Sequence, residues 1–125
     1  MCKKVKQKVS LGNHYLIDLY ECDKSLLNDP IAVKNTIHSI IDKIGTRLIS
    51  ENYKEFSPVG ISGFAIISES HISIHTWPEY SFAAIDIFSC NKAVADEISE
   101  YVKTQFGSKI CEVINHERGL IERTI

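Results

Sequence analysis

Hydrophobic positions switch between two periods along this chain, and each switch marks an element. In residues 13–20, NHYLIDLY, Tyr15, Ile17 and Leu19 alternate with His14, Leu16, Asp18 and Tyr20, the period of a strand. Asp29 followed by Pro30 reads as an N-cap and a first-turn proline. Val33, Ile37, Ile40, Ile41 and Ile44 then keep helical spacing until Gly45, a C-terminal stop. β-branched and aromatic content predicts strands at about 46–56, 63–68, 71–76 and 81–89. A second helix is predicted over 93–106, with Val94, Ile98, Tyr101 and Val102 as its apolar stripe and Gly107 as its end, and a last strand over 109–115.

This order predicts an α+β fold, a two-layer α/β sandwich with a mainly antiparallel sheet and two helices on one face. The strands are apolar on both sides, however. In SFAAIDIF, Ala83, Ile85 and Ile87 alternate with Phe82, Ala84 and Phe88, and GFAIIS behaves likewise. Two helices cover one face only, and the other would expose a large apolar patch in a monomer. A homodimer that closes the open face is therefore expected.

At 125 residues the chain fits a single domain, residues 1–125, able to bury roughly two-thirds of its unfolded surface. Its 14 basic and 16 acidic residues give a formal charge of −2 and no broad footprint for nucleic acid. Lys3, Lys4, Lys6 and Lys8 precede no unbroken apolar run, so they read as a solvated tail rather than the start of a signal peptide. No stretch approaches the roughly 20 apolar residues of a membrane span. Cys2, Cys22, Cys90 and Cys111 form neither a CxxC pair nor a dense disulfide framework, which fits reduced thiols and a cytoplasmic location.

The chemistry concentrates in residues 67–90, ISESHISIHTWPEYSFAAIDIFSC. Each polar residue there has an ordinary structural reading: Ser70 in a turn, His71 and His75 on a strand, Trp77-Pro78 as a turn anchor, Cys90 as a small core residue. Their joint occurrence calls for more. A zinc site from His71, His75 and Cys90, with His14 or His116, fails on geometry, since His71 and His75 on one strand lie roughly 13 Å apart. A hydrolase triad of Ser70, His75 and Asp86 lacks the G-x-S-x-G elbow. No metal is expected.

FSPVGISG followed by SESHISIHTWPEYSFAAIDIFSC resembles the small bacterial and archaeal form of the S-adenosylmethionine decarboxylase proenzymes, and the likeness runs from Gly12-Asn13-His14 onward. The resemblance implies self-cleavage between Glu69 and Ser70 into residues 1–69 and 70–125, with Ser70 becoming a covalent pyruvoyl cofactor. It makes His75 the processing proton acceptor, Ser62 a processing helper and Cys90 the catalytic proton donor. Glu79 would hold the ribose of S-adenosylmethionine, and Phe56 and Trp77 would line the adenosyl site. The chain departs from the pattern at Val59, where Gln is common, and at Asn91, where Gly is frequent; both bear on substrate identity more than on cleavage.

These roles are chemically coherent. Ser70 Oγ would attack the Glu69 carbonyl in an N-to-O acyl shift, with an imidazole moving protons near neutral pH and a hydroxyl donating to the oxyanion. β-Elimination of the ester and hydrolysis of the resulting imine would leave the pyruvoyl ketone. That ketone would form a Schiff base with the substrate amine and accept electrons as carbon dioxide leaves. A thiol suits the final protonation, because its pKa lies nearer neutrality than that of a hydroxyl. Cys2, Cys22 and Cys111 have no comparable setting.

Ser70 and His75 have opposite parity on one strand, so a turn or bulge near Glu69-Ser70 is expected to reset the direction. The implied activity gives the aminopropyl donor for spermidine synthesis. Two alternatives remain at this level: a pyruvoyl enzyme acting on arginine or ornithine, and a non-catalytic regulatory paralogue.

Overall fold

The computed structural model describes residues 6–90 and 95–124. In order they form β1 (Lys6–Tyr20), α1 (Lys24–Leu27), α2 (Pro30–Ile44), β2 (Leu48–Glu55), β3 (Ile61–Ile67), β4 (Ser70–Trp77), a 3-10 turn (Pro78–Tyr80), β5 (Phe82–Ser89), α3 (Ala95–Gln105) and β6 (Ile110–Thr124). The strands make one six-stranded sheet, β2-β3-β4-β5-β1-β6, with every neighbouring pair antiparallel.

Capping residues act as the sequence predicts at α2. The Asp29 carboxylate accepts from Ile31 N, Pro30 opens the helix, and Gly45 closes it in the left-handed region at φ 78°. Val33, Ile37, Ile40 and Ile41 are buried against Ile61, Ala65, Ile72, Ile74, Ile85 and Ile17 of the sheet, and α3 adds Ile98 and Val102 to the same core. Gly63 makes room for this packing, since a Cβ there would lie 2.8 Å from the Tyr53 ring and 3.2 Å from Ile37 Cδ1.

Several expectations need correction. Lys6 and Lys8 are not in a solvated tail; they are exposed side chains of β1, paired with Thr124 and Glu122. β6 likewise runs to Thr124 rather than ending near residue 115. Both strands outlast their hydrophobic alternation because each supplies the other's backbone hydrogen bonds, a pairing that side-chain period does not report. The short helix α1, capped by Asp23, escaped notice because four residues are too few to show a period. Cys2, Lys3, Lys4, Asn91, Ala93 and Val94 lie outside the described residues.

The face away from the helices carries His14, Leu16 and Asp18 of β1, Phe64 and Ile66 of β3, His71, Ser73 and His75 of β4, Asp86 and Phe88 of β5, and Ile114 of β6, as the cross-strand register dictates. Its apolar members Leu16, Phe64, Ile66 and Ile114 are between 36% and 60% exposed. Among the described residues no helix is long and apolar enough to cross a membrane.

Candidate active site

The predicted site residues fall into two groups, at opposite ends of β4. The first group lines a cleft of about 410 Å³ formed where the β2–β3 loop meets the 3-10 turn, and it holds Phe56, Val59, Ser62, His75, Trp77 and Glu79. Glycine makes this loop possible. Gly60 has φ 107°, and a Cβ there would press to 3.2 Å from the Thr76 carbonyl oxygen. The loop closes on itself through Phe56 N donating to Gly60 O at 2.8 Å, and Gly60 N donates to Asn28 Oδ1 at 3.0 Å. Ile61 N donates to Thr76 Oγ1 at 2.9 Å, fixing the loop against the end of β4. The Ser57–Pro58 peptide within it is cis.

Ser62 and His75 are direct partners in the β3–β4 register, which brings Ser62 Oγ to 2.8 Å from His75 Nδ1. The Trp77 ring lies 6.3 Å from that of His75 and 5.5 Å from Phe82. Phe56 and Trp77 are half exposed, so both offer aromatic surface to a ligand in the cleft.

The second group surrounds the hairpin turn at Ser68 and Glu69. Ile67 pairs with Ser70, so two residues make the turn, and the peptide between Glu69 and Ser70 leads straight into β4. Ser89 Oγ donates to Glu69 Oε2 at 3.0 Å, and the exposed Cys90 Sγ lies 3.9 Å from the same oxygen. Ser70 Oγ is 3.4 Å from His71 Nδ1. The His71 ring is stacked on Phe64 with centroids 5.5 Å apart and tilted against Phe88 at 5.8 Å. Burial, reinforced by the nearby His14 and opposed by Asp86, pushes the His71 imidazole below the usual histidine range.

Between the groups, the Asp86 carboxylate takes His14 Nε2 at 3.1 Å and Ser73 Oγ at 3.3 Å. Burial, then Glu112 and Asp86, raises the Asp18 carboxyl above its ordinary range, so this middle ground is crowded with acid.

Ser70 and His75 remain apart. The expected turn is present at Ser68-Glu69, but β4 runs without a bulge, its register to β3 continuous from Ser62↔His75 to Ile67↔Ser70. Five residues at about 3.3 Å each put them roughly 16 Å apart along the strand. Ser70 keeps the parity of the buried Ile72 and Ile74, whereas His75 belongs to the open face. A Ser70–His75–Asp86 triad is therefore not assembled within one chain. Among the described residues no three His, Cys, Asp or Glu side chains gather as metal ligands.

Ser89 joins the second group although no motif in the sequence marks it. It follows Ala83, Ile85 and Ile87 on the buried parity of β5 and is itself fully buried. A hydroxyl at such a position needs a hydrogen-bond partner, and that need was its signal.

Comparisons with known proteins agree with one another. A family-wide sequence profile described as S-adenosylmethionine decarboxylase matches residues 13–119. An S-adenosylmethionine decarboxylase proenzyme of Thermodesulfovibrio yellowstonii is 42% identical over 113 residues, covering 90% of this chain and 84% of that protein. One from Thermotoga petrophila is 39% identical over 111 residues, covering 88% and 85%. The crystal structure of the adenosylmethionine decarboxylase of Aquifex aeolicus superposes with a TM-score of 0.81 at 33% identity, over 90% of this chain and 93% of that one. Residues 13–119 take in both groups and the strand that joins them, and the chain belongs to the S-adenosylmethionine decarboxylase family.

Proposed function

We propose that two copies of this chain, packed sheet to sheet, decarboxylate S-adenosylmethionine with a pyruvoyl group made from Ser70 by cleavage after Glu69. One observation carries the composite arrangement: Ser62 and His75 share a cleft with Phe56, Trp77 and Glu79, while Glu69, Ser70 and Cys90 sit at the far end of β4. A two-fold axis lying between the sheets and running across the strands exchanges the two ends, so each half-site faces its complement on the partner. The exposed Leu16, Phe64, Ile66 and Ile114 supply the apolar surface for that packing.

The Glu69–Ser70 turn suits the cofactor's origin. Its backbone is at the tip of a hairpin, the Glu69 side chain is held by Ser89, and the Cys90 thiol stands beside it. Once formed, the pyruvoyl group supplies an electrophilic carbonyl and an electron sink. During processing, the partner's imidazole at position 75 accepts a proton and the hydroxyl at position 62 donates to the developing oxyanion. Phe56 and Trp77 bind the adenine face, Glu79 accepts hydrogen bonds from the ribose diol, and Cys90 delivers a proton to the substrate α-carbon after carbon dioxide departs. The mature enzyme then consists of fragments 1–69 and 70–125.

The reading is tested by incubating purified protein separately with carboxyl-labelled S-adenosylmethionine, arginine and ornithine. Labelled carbon dioxide is expected from the first alone; release from arginine or ornithine alone would reassign the substrate and leave the cleavage chemistry intact. Replacing Cys90 by alanine separates the two stages. Cys90→Ala is expected to cleave yet lose turnover by about 10²- to 10⁴-fold, the usual loss for an acid-base group. A cleaved Cys90→Ala enzyme with near-normal turnover would remove the thiol from the mechanism.

A further inference from the structure

His71 has no part in the scheme above, although it is the imidazole next to the nucleophile. Its Nδ1 is 3.4 Å from Ser70 Oγ, whereas His75 of the same chain stands roughly 16 Å away along β4. We infer that His71 is the general base of the first self-cleavage step, a role that rests on the cleavage at Glu69–Ser70 proposed above.

The ring is positioned for this from two sides. Phe64 of β3 stacks on it with an interplanar angle of 24°, and Phe88 of β5 meets it at 45°. Phe88 is held in turn: a Cβ on Gly12 of β1 would lie 2.7 Å from its ring, so only glycine lets the ring rest there, and the Arg118 guanidinium of β6 lies 5.7 Å from the ring centroid. An imidazole confined in this slot presents Nδ1 to Ser70 with little freedom to turn away.

Its charge state is also suitable. The charged groups facing it are His14 of β1 and Asp86 of β5, with Arg118 beyond Phe88; the neighbouring Glu69 is turned to Ser89. Asp86 directs its carboxylate to His14 and Ser73, so it does not clamp His71 as an imidazolium. Burial keeps the His71 ring neutral at neutral pH, and a neutral imidazole can take a proton.

The step balances within the chain. As Ser70 Oγ bonds to the carbonyl carbon of Glu69, its proton passes to His71 Nδ1. The same proton is returned to the Ser70 nitrogen as the C–N bond breaks. The products are an ester and a free amine, with no oxidant, reductant or water consumed. The partner's His75 remains the acceptor for the later elimination.

Hydroxylamine cuts an ester but not an amide, so it reports the first step whichever group completes the second. Precursor synthesised in a cell-free system is followed by mass spectrometry with hydroxylamine present, for the wild type, His71→Ala and His71→Asn. Asn offers a hydrogen-bond acceptor near Nδ1 but cannot take up a proton. Both variants are expected to form cleavable ester about 10²- to 10⁴-fold more slowly than the wild type. Wild-type rates in His71→Asn would show that the ring serves packing alone and would overturn the inference. Should neither variant fold, the wild type decides it: ester formation is expected to fall as the pH drops below the usual histidine range, and a rate governed instead by a group titrating above that range would overturn the inference. A wild type never cut at Glu69–Ser70 would instead overturn the self-cleavage reading, so the two failures are distinct.

Discussion

Ser70→Ala protein is expected to emerge as one intact chain of 125 residues with no decarboxylase turnover above background. The substitution removes the Oγ that would attack Glu69, and alanine offers no leaving group for elimination, so neither cleavage nor a carbonyl at position 70 can follow. The fold should survive, because Ser70 is only partly buried and its backbone pairing with Ile67 does not need the hydroxyl. Denaturing mass spectrometry and labelled carbon dioxide release read the two losses, and circular dichroism checks the fold. A cleaved or active Ser70→Ala protein would refute the pyruvoyl mechanism outright.

Activity is expected to reappear when two dead variants are made together. Ser70→Ala lacks the proposed cleavage site, and His75→Ala lacks the proposed processing acceptor. In a mixed dimer one composite site combines both lesions, while the other joins an intact Ser70 to an intact His75. Random pairing makes half the dimers mixed, each with one working site of two, so co-produced variants should show about a quarter of wild-type activity across a two-fold interface. Were each site built within a single chain, every dimer would be dead. Complete absence of activity, with mixed dimers demonstrated by differential tags, would therefore refute the exchanged half-sites. The outcome depends on the roughly 16 Å between Ser70 and His75, a separation no side-chain rotation can close.

Much of this architecture could be read from residue pattern, and the parts that could not share a physical cause. The strand at Tyr15, Ile17 and Leu19 and the capped helix from Pro30 to Ile44 were legible because burial on one face imposes a period and because Asp29 and Gly45 have specific jobs at helix ends. The outer halves of β1 and β6 were not, since polar side chains flank a ladder held by backbone groups. The candidate site residues were named from one dense segment and a resemblance, which left out the buried Ser89 beside Glu69. Their separation into two groups at opposite ends of β4 was not legible, because residues close in sequence on one straight strand can still lie far apart. The turn or bulge expected near Glu69-Ser70 is met by the turn at Ser68-Glu69, but this lies before β4 and leaves Ser70 and His75 on one straight strand with opposite parity.

The straightness of β4 has a consequence for the timing of maturation. Under the proposed cleavage, a chain fresh from the ribosome would carry the severable bond at one end of this strand and the group that finishes the cut at the other, so it would not mature alone. Completion would then be second order in protein, with a half-time that shortens as the precursor accumulates. Dilute precursor would persist, concentrated precursor would convert, and working enzyme would lag behind synthesis by the time two molecules need to find each other. On that reading β4 would act as a ruler that ties the birth of catalytic activity to the abundance of its own gene product.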